Sequence, residues 1–410
     1  MPGADLLVVG AGPAGLFGAI RAAEAGARVL LLEKMPRPGT KLLASGSGRC
    51  NFSHSGPIAD FPERYGKAGR FLKPALLGFT NADLVSWLEA RGLAILEEEG
   101  GKLFPASGRA RDILGILLGE LSRLGVELRA ESRVLGASRG AGGFEVRTAG
   151  GAHEAGSLLV ATGGLSYPGT GSTGDGYALA ASFGHAIAET APCLAPVLVE
   201  GFAFAACAGI ALRDAPIEVR RGEGGRIAAR GRGDVLITHR GLSGPGILDL
   251  SRSILAGDEL RVGLAGPEAG EDAGARLLEE LDRNGKRSFR SCVQALGLPE
   301  RLAATLIDHA GVDPMAKAAT VGREARREVA ASIAGCPFRV AALGGYGEAM
   351  ATRGGVVLGE VDPRSMESRL EPGLFFAGEV LDIDGDTGGY NIQAAFSTGA
   401  MAGGHAARRG

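Results

Sequence analysis

A glycine-rich turn near the N-terminus constrains the fold of this 410-residue chain more than any other segment. The turn reads Gly10-Ala-Gly-Pro-Ala-Gly15 and lies between a β-prone segment, 5–9, and a helical pattern over 14–25. Gly26 ends that helix, and residues 28–32 have the apolar run of a buried strand. The segment therefore predicts a βαβ unit of an open α/β sheet.

The three glycines of this turn suit a particular ligand. Gly10, Gly12 and Gly15 permit a tight turn, close approach of a pyrophosphate and close helix packing, while free N–H groups face the phosphates. Glu33 ends the second strand 18 positions after Gly15, where a carboxylate accepts the ribose hydroxyls and repels a 2′-phosphate. The pattern favours FAD or NAD over NADP. The alternative is a tight βα turn without ligand, because 69 glycines make such matches frequent.

Charge and cysteine content exclude several other classes. Lys and Arg number 44 against 46 Asp and Glu, a net charge of −2, so no general basic field attracts nucleic acid or membrane. Five cysteines without a C-x-x-C favour a reducing compartment and no zinc knuckle. The N-terminus does not resemble a signal peptide, and the apolar stretch Ala191 to Leu212 contains two prolines and Glu200, which favours strands over a membrane span. We expect a cytoplasmic protein that acts on small molecules.

Two later strands end at glycines, as strands beside a ligand crevice do. Segment 158–161 runs into Thr162-Gly163-Gly164, and segment 374–377 runs into Gly378-Glu379. Between the first unit and these strands, the pattern predicts helices over 83–92 and 111–125 and short strands over 129–135 and 143–148.

The middle of the chain has a different pattern. From about Pro192 short alternating segments such as 216–220 and 234–238 predict a small β-barrel or sandwich, and helical patterns follow over 275–281, 299–310 and 323–333. We therefore expect three regions: a cofactor domain over 1–190 and 346–410, a β-barrel insert over 191–268 and 334–345, and a helical subdomain over 269–333. Catalysis is expected in the cleft that such an insert leaves.

Two further segments favour FAD over NAD, because a flavin must be held by residues far along the chain. Lys41 to Asn51 is a loop rich in glycine and serine, with Ser45, Arg49 and Asn51 as donors along the cofactor; its alternative is a mobile linker. Near the C-terminus, Glu379 ends a strand, and a helix beginning near Tyr390 can stabilise negative charge on the N1–C2=O edge of a reduced flavin.

These residues together resemble the HI0933-like flavoproteins, the BaiN/YhiN family of FAD-dependent, NAD(P)-linked oxidoreductases that includes aminoacetone oxidases. The resemblance runs nearly end to end and depends on six motifs: GAGPAGL (10–16), LLEK (31–34), KLLASGSGRCN (41–51), ATGGLSYPGTGSTGDGY (161–177), THRGLSGPGILDLS (238–251) and GEVLDIDGDTGGYNIQAAFSTG (378–399). It implies a Rossmann-like, two-part FAD-binding domain interrupted by a β-barrel and a small helical domain.

The motifs and the resemblance give one predicted set of FAD contacts. The resemblance supplies Gly15, Glu33, Lys34, Lys41, Ser45, Asn51, Val134, Thr162, Gly163, Glu379, Gly389, Asn391 and Ile392. The same segments add Gly10, Gly12, Pro13, Ala14, Leu42, Arg49, Cys50, Ala161 and Gly378. The flavin itself carries the chemistry, and the side chains expected near it are Asn391, Tyr390 and His239.

Other candidates have structural alternatives. The loop His239 to Gly244 is either an anion site facing the flavin or the start, capped by Ser243, of a helix predicted from Pro245 to about Leu255. The three aspartates Asp382, Asp384 and Asp386 suit a solvated or ribityl-contacting loop better than a metal, and Cys50 suits packing better than redox chemistry. Asp175 reads as an N-cap. Tyr167 and Tyr390 can each flank a substrate or a flavin.

Three functional hypotheses follow. In the first, the chain is an FAD-dependent enzyme that passes hydride between NADH, NADPH or a small substrate and an organic acceptor or oxygen, with the nicotinamide a transient visitor. In the second, it modifies RNA through a basic cluster on the insert, diluted by Glu218, Glu223 and Asp234; the cluster comprises Arg220, Arg221, Arg226, Arg230, Arg232 and Arg240. In the third, it binds flavin without turnover.

Overall fold

A computed structural model of the chain describes residues 3–140, 142–265 and 272–409. The chain packs as two compact units: unit 1 comprises Met1–Pro192 and Met350–Gly410, and unit 2 comprises Cys193–Ala349. The predicted boundary between barrel and helical segments at 268–269 lies outside the described residues. The division into three domains stays a prediction, because compact packing does not show which segments fold by themselves.

The strands follow one another along both units. In chain order they are β1 Ala4–Val9, β2 Val29–Leu32, β3 Ser53–His54, β4 Ile95–Glu98, β5 Lys102–Pro105, β6 Glu127–Arg129, β7 Val134–Gly140, β8 Gly143–Thr148, β9 Gly151–Val160, β10 Ile187–Cys193, β11 Val197–Val199, β12 Ala211–Arg220, β13 Ile227–Ile237, β14 Gly241–Ser243, β15 Glu259–Val262, β16 Cys336–Leu343, β17 Ala351–Val356 and β18 Leu374–Phe376.

The helices cover the sheet in unit 1 and follow the barrel in unit 2. They are α1 Pro13–Glu24, α2 Thr40–Ala44, α3 Gly69–Gly78, α4 Asn81–Glu89, α5 Ala110–Arg123, α6 Asp175–Ser182, α7 Pro245–Leu250, α8 Ala273–Arg283, α9 Phe289–Gln294, α10 Glu300–His309, α11 Arg323–Gly335 and α12 Tyr390–Ala406. Short 3₁₀ turns connect several of them, and the longest precedes α3 over Ile58–Ala68.

The main sheet of unit 1 has the order β6-β2-β1-β9-β8-β7, with β18 also paired to β9. Strands β1, β2, β6, β9 and β18 are parallel neighbours, while β7 and β8 pair antiparallel. The last four residues of β1 are buried, as expected for a parallel strand covered on both faces. Val9 pairs with both Leu32 and Val160, so the carboxyl ends of β1, β2 and β9 meet at one edge.

Helix α12 returns from the C-terminus and packs closely on α1. A Cβ atom on Gly399 would lie 2.4 Å from the carbonyl oxygen of Ala14, and one on Gly403 would lie 2.1 Å from that of Gly18. Only glycine permits backbones to approach this closely. The N-terminal βαβ unit and the C-terminal segment thus form one domain, which confirms the predicted two-part Rossmann-like fold.

Unit 2 contains the inserted barrel. Six strands close in the order β11-β14-β13-β12-β15-β16, and the helices α8 to α11 share one apolar core with them. Alternate barrel residues such as Val219, Leu260 and Val340 are fully buried, as period-two alternation requires. The predicted β-barrel and helical segment are therefore present.

Two local predictions need correction. The strand expected over 129–135 is interrupted, because Glu131 has a positive φ of 52° that ends β6 and separates it from β7. The helix expected from Pro245 to about Leu255 ends at Leu250 and continues only as a 3₁₀ turn. No helix of the described residues is long and apolar enough to cross a membrane.

Candidate cofactor site

A cavity in unit 1 lies where the parallel strands β1, β2, β9 and β18 end. It holds about 1300 Å³ of empty space, its open mouth included. Most of the predicted FAD contacts line it, and they come from five separate stretches of the chain: Gly10, Gly12, Pro13, Ala14, Glu33, Lys34, Lys41, Leu42, Ser45, Val134, Ala161, Thr162, Gly163, Gly378, Glu379, Asn391 and Ile392. Ligands bind at this edge of open α/β sheets.

Glycine is required for a different structural reason at each of the three positions of the turn. Gly10 has a φ of 99°, which glycine adopts without strain. A Cβ atom on Gly15 would lie 1.9 Å from the carbonyl oxygen of Gly10, so Gly15 permits the close packing of α1 and does not itself line the cavity. Gly12 has nothing within 4 Å of such an atom, and its open side is the cavity. The space that a side chain would fill at Gly12 is thus available to a ligand.

Glu33 is held rigidly at the end of β2. Its carboxylate accepts a hydrogen bond from the Ala11 backbone N–H at 2.7 Å and another from the Met35 N–H at 2.8 Å. The residue is only 9 % exposed and lines the cavity. Each carboxylate oxygen has a further lone pair with which to accept a ligand hydroxyl.

A charged cluster follows Glu33 at the same end of the cavity. Lys34 lies 2.8 Å from the Asp175 carboxylate, which Arg133 also contacts at 3.0 Å. Burial raises the pKa of Asp175, but hydrogen bonds from Lys34 and Arg133 outweigh that effect and hold the pKa below its usual range. The N-cap prediction for Asp175 is wrong: left-handed Gly174 is the N-cap, and Asp175 is the first helical residue.

A second ion pair lies within the cavity wall. The Lys41 ammonium is 2.6 Å from one oxygen of Glu379, and the other oxygen accepts the Thr352 backbone N–H at 2.8 Å. The buried hydroxyl of Thr352 accepts hydrogen bonds from the N–H groups of Leu165 and Ser166 at 2.9 and 3.1 Å. Thr352 therefore braces Glu379 and the loop after β9 together, although no sequence motif marks it.

Helix α12 begins at the cavity. Left-handed Gly389 precedes it, and a Cβ atom there would lie 2.5 Å from the carbonyl oxygen of Ser53. The Asn391 amide donates to the Gly385 carbonyl at 2.9 Å and accepts its N–H at 2.8 Å, which closes the loop before the helix. Tyr390 is 5 % exposed and stacks on His54 with the ring centroids 5.2 Å apart, so it lies behind the lining.

Three predicted contacts of the Lys41–Asn51 loop lie outside the cavity lining. Arg49 forms an ion pair with Glu98 and lies 4.3 Å from the centre of the Phe104 ring. Cys50 is fully buried, and this burial raises its pKa to about 12. The Asn51 amide, oriented by its hydrogen bonds, accepts the Gly389 N–H at 3.2 Å. These residues support the loop and the start of α12.

Several lining residues were missed by the sequence argument. Arg37 and Thr40 directly precede the Lys41–Asn51 motif, and a search extended upstream finds them. A second group lies within the six motifs but was not singled out there: Ala11, Leu32, Thr170, Gly171, Ser172, Ile383 and Ala395. The remaining lining residues lie outside the motifs: Val9, Gly39, Ser132, Met350, Ala351 and Ala377.

Several candidate residues from the sequence lie outside the cavity lining. His239 and Arg240 are exposed residues of unit 2, and α7 begins at Gly244 without a side-chain cap, so the Ser243 cap is wrong. All five cysteines are free and buried. Within the described ranges, no three His, Cys, Asp or Glu side chains are grouped to hold a metal.

Comparison with known proteins gives consistent matches. The family described as HI0933-like protein Rossmann domain matches residues 4–405. A ribosomal RNA dihydrouridine synthase of Escherichia coli is 33 % identical, with 96 % of each chain covered. A 3-dehydro-bile acid delta(4,6)-reductase of Clostridium scindens is 30 % identical, with 98 % of each covered. A solved 3-ketosteroid-delta4-(5alpha)-dehydrogenase of Rhodococcus jostii is similar in fold, with a TM-score of 0.51 at 20 % identity, covering 98 % of this chain and 96 % of that one.

Proposed function

The chain belongs to the HI0933-like family of flavoprotein oxidoreductases, and we propose that it is an FAD-dependent reductase of carbon–carbon double bonds conjugated with a carbonyl group. The observation that supports this most directly is the cavity at the ends of β1, β2, β9 and β18. It brings the glycine turn, the Glu33 carboxylate and the start of α12 into the lining of one cavity. FAD is long enough to need all three.

The residues present fit FAD. The open side of Gly12 and the first turn of α1 would receive the pyrophosphate, because the first N–H groups of a helix have no partner within it. Glu33 would accept the hydroxyls of the adenosine ribose, and Val134 would meet the adenine. Lys41 and Glu379 would hold the ribityl and phosphate portion through their paired charges.

The start of α12 would hold the reactive end. When bound, FAD supplies hydride transfer at its N5 atom. Asn391 and Ile392 lie in the first turn of α12 and line the cavity. The partial positive charge of this helix N-terminus would stabilise negative charge at the adjacent edge of the flavin ring. The closed loop from Gly385 to Asn391 keeps those donors in place before the reaction begins.

The substrate class follows from the chemistry that two relatives share. A delta(4,6)-reductase of a 3-dehydro-bile acid acts on double bonds conjugated with a 3-oxo group. Dihydrouridine is uridine saturated at the C5–C6 bond, which is conjugated with the C4 carbonyl. Both acceptors take a hydride at carbon and place charge on an oxygen. We propose NADH or NADPH as the electron donor, visiting the same cavity.

A second candidate function is reduction of uridine within RNA. It is favoured by the full-length similarity to a ribosomal RNA dihydrouridine synthase. The arginine cluster on the barrel gives it little support, because four of its six arginines already pair with carboxylates. Arg220 and Arg230 pair with Glu218, Arg221 pairs with Asp258, and Arg232 pairs with Asp214. RNA binding would need another surface.

One set of measurements tests the proposal. The purified protein should carry FAD, and anaerobic NADH or NADPH should bleach it, after which an enone or a uridine-containing RNA should restore the oxidised spectrum. Glu379→Gln should weaken FAD binding on the order of tenfold, because it removes a charge from a hydrogen-bonded ion pair. Lys317→Met, at an exposed position of unit 2, is the matched control.

The alternatives give different results. A colourless protein that takes up no FAD would overturn the proposal. A flavin that stays oxidised with both nicotinamides and all acceptors would identify a flavin-binding scaffold.

A further inference from the structure

The segment from Arg64 to Lys73 carries four cations and no carboxylate. We propose that three of them, Lys67, Arg70 and Lys73, form a docking strip for the phosphodiester backbone of single-stranded RNA. The proposal rests on the second candidate function and identifies where its substrate would bind. We call these three residues the α3 strip, because they lie on α3 and on the 3₁₀ turn before it.

The charges of the strip are available to a partner. All three side chains belong to exposed residues, and none has an ion pair with another described residue. Asp60 and Glu63 precede the strip, and neither of them pairs with it. The barrel arginines differ, since Arg220 and Arg230 already share the Glu218 carboxylate. Unpaired cations can replace the counterions of a nucleic acid, whereas paired ones must first give up their carboxylates.

The strip is joined to the start of α12 within the same compact unit. The Tyr65 hydroxyl donates to the Tyr390 carbonyl at 2.7 Å, and the Asp386 N–H donates to the Arg64 carbonyl at 3.0 Å. The next residue after Tyr390 is Asn391, which lines the cavity. The strip therefore belongs to a segment that is hydrogen-bonded to the start of α12, where we place the flavin.

The arrangement of the strip favours a polymer over a compact anion. Leu72, Ala75 and Leu76 bury the inner side of α3, so Arg70 and Lys73 point outward about 4.5 Å apart along the axis. The three cations recur at every third residue and so form a row along the segment. Leu77 is 52 % exposed one turn further on and offers an apolar contact.

The test is binding of a fluorescein-labelled, uridine-rich 12-nucleotide RNA to the FAD-bound protein, measured by anisotropy between 50 and 200 mM KCl. Removing the strip with Lys67→Gln, Arg70→Gln and Lys73→Gln should weaken binding on the order of tenfold at the lower salt. The salt slope should fall by about two, since each phosphate contact on a single strand contributes about 0.7.

The matched control removes three exposed cations of unit 2 that form no ion pair with another described residue, by Lys286→Gln, Lys317→Gln and Arg323→Gln. It should keep the wild-type salt slope. FAD absorbance and the melting temperature check that both variants are folded.

The proposal that the strip binds RNA would be overturned if the wild type bound no RNA, or if both variants lost the same amount of RNA affinity. It would also be overturned if the strip variant had a raised KM for NADPH, or if it kept RNA binding and lost binding to phosphatidylserine vesicles. Failure of this proposal can be distinguished from failure of the proposed reductase function. A wild type that reduces an enone and binds no RNA would overturn only the RNA-binding role of the strip. A wild type that binds RNA through the strip without flavin reduction would overturn only the reductase function.

Discussion

Units 1 and 2 use their charged side chains in opposite ways. Unit 1 directs Glu33, Lys34, Lys41 and Glu379 into the wall of one cavity. Unit 2 pairs charges of its barrel on the outer surface, as with Arg232 and Asp214, and fills the barrel interior with apolar residues. The difference is the reason that we place the proposed cofactor site at the parallel sheet.

The cause is topological. Parallel strands bring their carboxyl ends, and the loops that follow them, to one edge, so polar residues from distant segments meet there. A small closed barrel has no such edge, and its interior is just wide enough for its own side chains. Four predictions test this contrast, in order of decreasing effect.

The largest effect is expected for Gly15→Ala. The new Cβ atom would lie 1.9 Å from the Gly10 carbonyl oxygen, which neither backbone can avoid without moving α1. We expect a loss of roughly 3 kcal/mol or more in the free energy of unfolding, together with loss of FAD. Urea unfolding and flavin content measure both. Wild-type stability in this variant would show that the turn is looser than described.

Gly12→Ala should separate ligand binding from folding. Nothing lies within 4 Å of the added atom, and the backbone angles at Gly12 suit alanine, so the fold should be kept while the pyrophosphate is obstructed. FAD affinity should fall on the order of 100-fold, or about 3 kcal/mol. Gly322→Ala in unit 2 is the matched control, because its added atom also meets nothing. Equal FAD affinity in both variants would contradict a pyrophosphate site at this turn.

The acid stability of unit 1 should depend on Glu120. Hydrogen bonds from Arg123 and Arg91 hold its pKa down, from 4.5 to about 2. A lowered pKa in the folded state gives stability that is present above pH 4.5 and is lost as the pH falls to about 2. Glu120→Gln should therefore cost about 2 kcal/mol at pH 7 and nothing at pH 2, as measured by urea unfolding.

Glu218→Gln in unit 2 is the comparison for Glu120. Burial raises the pKa of Glu218, but its hydrogen bonds with Arg230 and Arg220 prevail and lower it. Glu218→Gln should also lower the free energy of unfolding at pH 7, but by less than Glu120→Gln does. The reason is that Arg230 is 70 % exposed, whereas Arg91 beside Glu120 is only 22 % exposed. A larger effect at Glu218 would reverse the comparison.

The smallest effect is expected at the cysteines, because their thiols should be equally unreactive in the two units. Burial raises the pKa of Cys50 in unit 1 and of Cys336 in unit 2 to about 12. Neither thiol should react with a disulfide reagent at pH 8 unless the protein is denatured. Cys50→Ala should leave the rate of flavin bleaching within about twofold, because small changes away from the reacting atoms cost little. Fast labelling of native Cys50 would contradict its buried position.

Local pattern predicted much of the site. The turn and Glu33 belong to one βαβ unit, whose geometry follows from strand, helix and strand over some thirty residues. Glu379 was predicted because it ends an apolar strand, as Thr162 does. Motifs on contiguous residues are readable because neighbouring residues share one backbone path.

The Lys41–Asn51 loop shows where local pattern was insufficient. The loop continues past Ser45 to Arg49, Cys50 and Asn51, yet of these four residues only Ser45 lines the cavity. Gly46 and Ser47 have φ values of 54° and 57°, which turn the chain away after Ser45. Spacing alone does not reveal such a turn.

The sequence by itself determined the class of fold, the order of its elements and the turn at which a dinucleotide would begin, because these depend on periodicity and on glycine. Only the tertiary structure decided that Thr352 braces Glu379 and that the barrel arginines are paired. It also decided that Tyr65 joins the 3₁₀ turn before α3 to the start of α12. These are contacts between residues far apart in the chain, and hydrogen bonds and ion pairs depend on distance in space.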